Sequence, residues 1–220
     1  MPSPRFRNVI FDCDSTLSAI EGIDELAAGR REEIAGLTAS AMSGALPLES
    51  VYGARLALIR PTRAQVASLA GQYVAAAVPG ARETVRGLRD GGVEVRILSG
   101  GFRQAILPFA EWLGLGAAAV WAVDLRFDPD GAYEGFDESS PLARSGGKRT
   151  VIETWRKTLP SPFLMVGDGI TDLEARPAVD RFLAFAGVVD RPAVTAAADA
   201  VIRGPSLLPV LWEVLQKDLA

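Results

Sequence analysis

Short runs of strand-forming residues in this chain stop abruptly at polar or glycine-rich turns, and that recurring pattern narrows the fold more than any other feature. Asn8-Val9-Ile10-Phe11 ends at Asp12, and Val93-Glu94-Val95-Arg96-Ile97-Leu98 ends at Ser99-Gly100-Gly101. Phe163-Leu164-Met165-Val166 ends at Gly167-Asp168-Gly169, and 181–185 is a fourth apolar run. Helical patterns cover 80–90, 101–113, 148–159 and 205–219. Strands alternating with amphipathic helices predict an α/β fold: a Rossmann-like parallel sheet with helices on both faces.

The stretch from Glu21 to Ala77 breaks the alternation, because it contains no convincing strand. Thr62 with Gln65 three residues on reads as a capping box, followed by Val66, Leu69, Ala70 and Tyr73 at helical spacing. A helical block inserted after the first strand predicts a lid over the strand ends. The expected division is an α/β core of residues 1–17 and 78–220 and a helical cap of 18–77. Asp128-Pro129-Asp130-Gly131, between apolar flanks, predicts a β-hairpin turn.

Composition excludes several chemistries. The 220 residues include no histidine, which removes a Ser-His-Asp triad, phosphohistidine and His-ligated zinc. The single cysteine, Cys13, allows no internal disulfide, and Ala19 stands where a cysteine-nucleophile phosphatase needs arginine. A net charge of −4 without a basic block predicts no nucleic-acid partner. The apolar runs are too short for a bilayer and no apolar signal segment opens the sequence, so a soluble cytoplasmic monomer or homodimer is expected.

In a parallel sheet the strand-ending turns share the carboxyl edge, where open α/β folds bind ligands. Asp12, Asp14, Asp168 and Asp172 would therefore converge. Each turn alone could simply cap the following helix. Four converging carboxylates, however, repel one another until a cation relieves them, and oxygen-only ligands favour magnesium over zinc.

Phe11-Asp12-Cys13-Asp14-Ser15-Thr16-Leu17 resembles the Asp-x-Asp-x-Thr signature of the haloacid dehalogenase superfamily, in the form used by its phosphoserine phosphatase branch. Ser99, Lys148 in Ser145-Gly146-Gly147-Lys148, and Gly167-Asp168-Gly169-Ile170-Thr171-Asp172 are similar to the later motifs, in the same order. The resemblance covers nearly the whole chain. It implies hydrolysis of O-phospho-L-serine, with Asp12 as nucleophile through an aspartyl-phosphate and Asp14 as general acid and base. It further implies Mg2+ held by Asp12, the Asp14 backbone carbonyl and Asp168, with Asp172 and Thr16 supporting. Ser99, the Gly100 amide and Lys148 would bind the phosphoryl group. Lys148 could otherwise be a solvated lysine; its segment is not a P-loop, since Leu142 and Arg149 occupy the diagnostic positions.

The helical block carries the substrate expectations. On a helix over 48–59, the apolar arc of Leu48, Val51, Tyr52, Leu56, Leu58 and Ile59 is centred near Arg55. An inward arginine needs an anion: either a structural salt-bridge partner or a substrate carboxylate. The resemblance assigns the substrate ammonium to Glu21 and places Met42 and Thr171 in the pocket. Ser43 and Arg144 depart from the family pattern, which more often has glycine and an acidic residue there. Cys13 is expected to point into the core without a catalytic role. Two other readings remain at this level: a phosphatase or phosphotransferase for another small metabolite, and a non-catalytic phosphate- or metal-binding module.

Overall fold

The computed structural model describes residues 4–215. Six strands form one parallel sheet: β1 (Asn8–Phe11), β2 (Glu94–Phe102), β3 (Val120–Val123), β6 (Phe163–Gly167), β7 (Arg181–Phe185) and β8 (Ala200–Ile202). Their order is β3-β2-β1-β6-β7-β8. Every residue of β1 and β6 is buried, which requires cover on both faces and explains their unbroken apolar sequences. A separate antiparallel pair, β4 (Leu125–Phe127) and β5 (Tyr133–Phe136), closes at Gly131, whose φ of 87° suits a residue without a Cβ.

The chain leaves β1 towards β2 and β3, then returns to place β6 on the other flank of β1. Phe11 pairs with Ile97 on one side and Val166 on the other. The loops after β1, β2 and β6 are thus neighbours, at the point where strand order reverses.

Between β1 and β2 come α1 (Gly22–Glu25), α2 (Arg31–Met42), α3 (Leu48–Ile59), α4 (Arg63–Ala75) and α5 (Ala81–Asp90). The capping box of Thr62 and Gln65 opens α4, and a Ser18–Ala77 bridge ties the ends of the helical stretch together. Further on lie α6 (Arg103–Leu113), α7 (Gly147–Trp155), α8 (Ile170–Leu173), α9 (Pro192–Thr195) and α10 (Pro209–Leu215). Helices α5 and α6 pack on β2, α10 packs on α5, and α4 packs on α6.

Several boundaries differ from the sequence expectation. β2 runs through Ser99-Gly100-Gly101 to Phe102, with shifted register against β3, so α6 begins at Arg103 rather than 101. Helix α7 ends at Trp155, and α10 covers 209–215 of the expected 205–219, of which 216–219 lie outside the described residues. Edge strands β3 and β8 lie outside the sequence expectation: β3 ends an apolar stretch, 117–123, that no polar or glycine-rich turn closes, and β8 is only three residues long. On α3, Leu48, Val51, Tyr52, Arg55 and Leu56 are buried, but Leu58 is exposed, because the buried arc is narrower than the apolar one.

Candidate active site

Asp12 follows the last residue of β1. Its amide donates to the Val166 carbonyl of β6, and its Oδ1 accepts from the Cys13 amide at 2.7 Å. Its Oδ2 lies 2.9 Å from Lys148 Nζ. The turn beyond it is tight: Ser15 adopts φ of 51°, a strained value for a side-chain-bearing residue. Ser15 Oγ donates to Glu21 Oε1 at 2.7 Å, and Thr16 Oγ1 donates to Asp168 Oδ1 at 3.0 Å. The first loop thereby touches both the last acidic loop and the helical stretch.

Lys148 lies in the first turn of α7, where its charge opposes the helix dipole. Two carboxylates compensate: Asp12, and Asp172 Oδ1 at 2.5 Å. Burial works against the ammonium, but Asp12 and Asp172 outweigh it and hold its pKa above that of ordinary lysine. A solvated lysine is excluded, as the side chain is buried. Asp172 spends its other oxygen on the Gly169 amide at 2.9 Å. Gly147 allows this loop to approach the core, since a Cβ there would collide with the Pro141 carbonyl.

Asp12, Asp168 and Asp172 present carboxylate oxygens within 4.8 Å of one another. Burial, then the charge of Asp12, raises Asp172 to about 7. Burial also raises Asp168 to about 6, with Asp12 adding to the rise and Arg191 opposing it. Asp14 is raised to about 6, first by burial and then by Asp12. Its Oδ1 accepts from the Gly22 amide and the Tyr73 hydroxyl, each at 2.7 Å. Crowded carboxylates in raised states are what a small hard cation relieves.

The remaining expected residues gather here as well. Asp12, Asp14, Glu21, Met42, Arg55, Ser99, Gly100, Lys148, Asp168 and Thr171 line one cavity of about 50 Å³. A larger groove of about 1070 Å³, lined by Arg82, Arg86, Arg89 and Gly114, holds none of them. Ser99 Oγ accepts from the Gly101 amide at 3.0 Å. The Tyr52 hydroxyl donates to the Gly100 carbonyl at 2.7 Å, and Glu49 Oε2 accepts from the Ser145 amide and hydroxyl. These bonds fasten α3 onto the loops that carry Gly100 and Ser145. Arg144 also lines the cavity but is itself exposed.

Arg55 is buried, with Nη1 donating to Thr38 Oγ1 at 2.9 Å and Nε unpartnered. It forms no salt bridge among the described residues, so no structural ion-pair partner for it is found there. Cys13 is fully buried, and burial followed by Asp14 and Asp12 pushes its thiol pKa up, leaving it inert.

Two participants had no sequence signal. Arg191, in the loop before α9, reaches Asp168 Oδ2 at 3.1 Å and Glu21 Oε1 at 3.5 Å. Only its place after the apolar run of β7, on the carboxyl edge, could have marked it. Tyr73 reads in sequence as a core residue, yet its hydroxyl meets Asp14.

The haloacid dehalogenase-like hydrolase family model matches residues 6–180. Phosphoserine phosphatase of Homo sapiens is 42% identical over 189 residues, covering 84% of each chain. A chloroplastic phosphoserine phosphatase of Arabidopsis thaliana is 43% identical over 199 residues, covering 88% of this chain and 68% of its own. Its compartment shows that cytoplasmic placement is not general among such relatives. A solved structure described as a phospho-aspartyl intermediate analogue of phosphoserine phosphatase superposes with a TM-score of 0.80. It is 28% identical and the match covers 94% of this chain and 98% of that one. The chain belongs to the haloacid dehalogenase-like hydrolases, and among them to the phosphoserine phosphatase family.

Proposed function

We propose that the chain hydrolyses O-phospho-L-serine to L-serine and phosphate through an aspartyl-phosphate on Asp12. The observation that carries this reading is the Asp12–Lys148 contact of 2.9 Å in a cavity also lined by Glu21 and Arg55. With Oδ1 occupied by the Cys13 amide, Oδ2 of Asp12 is the oxygen that attacks phosphorus in line. Lys148, the Ser99 hydroxyl and the Gly100 amide hold the phosphoryl oxygens. As the bond to the serine oxygen breaks, Asp14 gives that oxygen its proton. Asp14 then takes a proton from water as the water attacks phosphorus, and the Asp12–phosphorus bond breaks.

The donor set suits magnesium, being oxygen-only and clustered within 4.8 Å. Asp12, the Asp14 backbone carbonyl and Asp168 would hold the ion, with Thr16 orienting Asp168. Asp172, engaged by Lys148 and the Gly169 amide, would support them. Bound there, magnesium would neutralise charge on the transferring phosphoryl group.

Glu21 receives the substrate ammonium and Arg55 its carboxylate, with Met42 and Thr171 lining the space between. Arg191, 3.1 Å from Asp168 Oδ2 and 3.5 Å from Glu21 Oε1, offsets the charge of both carboxylates. A cavity of about 50 Å³ holds little beyond water, so residues 18–77 act as a cap that opens to admit substrate. The test is phosphate release with magnesium. O-phospho-L-serine should far outpace generic monoesters, and Asp12→Asn should lower its turnover at least about a thousandfold. Equal rates across monoesters would remove the substrate assignment, and an unchanged Asp12→Asn rate would remove the mechanism.

A further inference from the structure

Tyr73 stands on α4, outside every family motif in sequence, yet it touches the first motif loop. Its ring stacks on Phe109 of α6 at 5.7 Å, which an ordinary core phenylalanine would do equally well. The hydroxyl is surplus to that packing. It is fully buried, and it spends its proton on Asp14 Oδ1 at 2.7 Å. The Gly22 amide donates to the same oxygen at 2.7 Å. Residue 22 must be glycine for this arrangement, because a Cβ there would collide with the Tyr73 hydroxyl and lie 2.9 Å from its Cζ.

The two oxygens of Asp14 are therefore unequal. Oδ1 accepts two strong hydrogen bonds. Oδ2 lies over Gly101, where even a Cβ would stand only 2.7 Å away, and it accepts only a long hydrogen bond, 3.5 Å, from the Ser99 hydroxyl. Rotating the carboxyl would leave a buried phenol and a buried amide facing an oxygen that carries hydrogen, which is costly.

We infer that Tyr73, with Gly22, is a positioning residue that pins Asp14 so that Oδ2 alone exchanges the proton of the reaction. The inference rests on the reading of Asp14 as general acid and base. In the first step the proton on Oδ2 passes to the serine oxygen as its bond to phosphorus breaks. In the second, Oδ2 takes a proton from water as the water oxygen bonds to phosphorus and the Asp12–phosphorus bond breaks. The helical insertion thus serves the chemistry as well as substrate recognition, through a helix docked on α6.

The test compares kcat/KM for O-phospho-L-serine and 4-nitrophenyl phosphate, whose leaving group departs without a proton. Asp14→Asn should depress the first much more than the second. Tyr73→Phe keeps the stacked ring and should follow the same pattern, with a loss of about 10- to 100-fold for the serine ester, the size expected from a misplaced group, and little change for the aryl ester. Gly22→Ala, which displaces the hydroxyl while keeping it, should reproduce the effect and reports independently if Tyr73→Phe folds poorly. If Asp14→Asn discriminates between the esters but Tyr73→Phe and Gly22→Ala lower both equally, Tyr73 is only structural and the inference fails. If Asp14→Asn itself does not discriminate, the acid–base reading fails and takes this inference with it.

Discussion

Replacing Arg55 with methionine removes the one buried guanidinium in the cavity while keeping most of its volume. Arg55 is 3% exposed, and its polar contacts are a bond to Thr38 Oγ1 at 2.9 Å and the face of Tyr52 at 5.7 Å. Burial lowers its pKa, and no carboxylate forms a salt bridge with it among the described residues. Thr38 loses little in the exchange, because its hydroxyl is also bonded to Asp24 Oδ1 at 2.7 Å. Truncating one side of a buried charged pair costs about 2–5 kcal/mol, which corresponds to roughly 30- to 4000-fold at 1.4 kcal/mol per tenfold. That loss should appear in kcat/KM for O-phospho-L-serine but not for phosphoethanolamine, which lacks the carboxylate. The melting temperature of the substrate-free protein should hold or rise, whereas breaking a structural ion pair would cost about 3–5 kcal/mol of stability. Equal losses on both substrates, or a marked drop in melting temperature, would refute the assignment.

Gly167→Ala should destabilise the protein, since the new methyl would overlap the Asp172 carboxylate and push it off Lys148 and the Gly169 amide. The expected cost is about 1–3 kcal/mol, or roughly 2–12 °C in Tm for a chain of this size; an unchanged melt would contradict it. The pH dependence of the metal-free protein should run opposite to ordinary acid denaturation. Asp14 and Asp168 at about 6 and Asp172 at about 7 exceed the unfolded carboxylate value. The folded chain therefore binds more protons between about pH 4 and 7, and stability falls as pH rises through that window. Thermal melts without metal should give a higher Tm at pH 5.5 than at 7.5, and magnesium should raise Tm more at 7.5. A metal-free Tm that climbs with pH would overturn the account.

The legible parts of the fold were those with local causes. Short apolar runs that stop abruptly at Asp12 and Gly167 identified β1 and β6, and Thr62 with Gln65 marked the start of α4. Val120–Val123 escaped because its apolar run opens with three alanines and ends without a polar or glycine-rich turn, and Ala200–Ile202 because three residues at a sheet edge draw their place from a neighbour's hydrogen bonds. Ser99-Gly100-Gly101 read as a turn because glycine commonly ends strands, yet pairing with β3 carried β2 to Phe102.

The site divides along the same line. Which residue types would meet at the carboxyl edge followed from the sequence, because parallel strands bring their ends together wherever the intervening helices run. Only the tertiary structure decided which atoms face one another: Lys148 bridging Asp12 and Asp172, Arg191 reaching Glu21 from 170 positions along the chain, and Tyr73 choosing one oxygen of Asp14. Strand ends are announced by neighbours in sequence, whereas hydrogen bonds between distant elements depend on packing that no local pattern records.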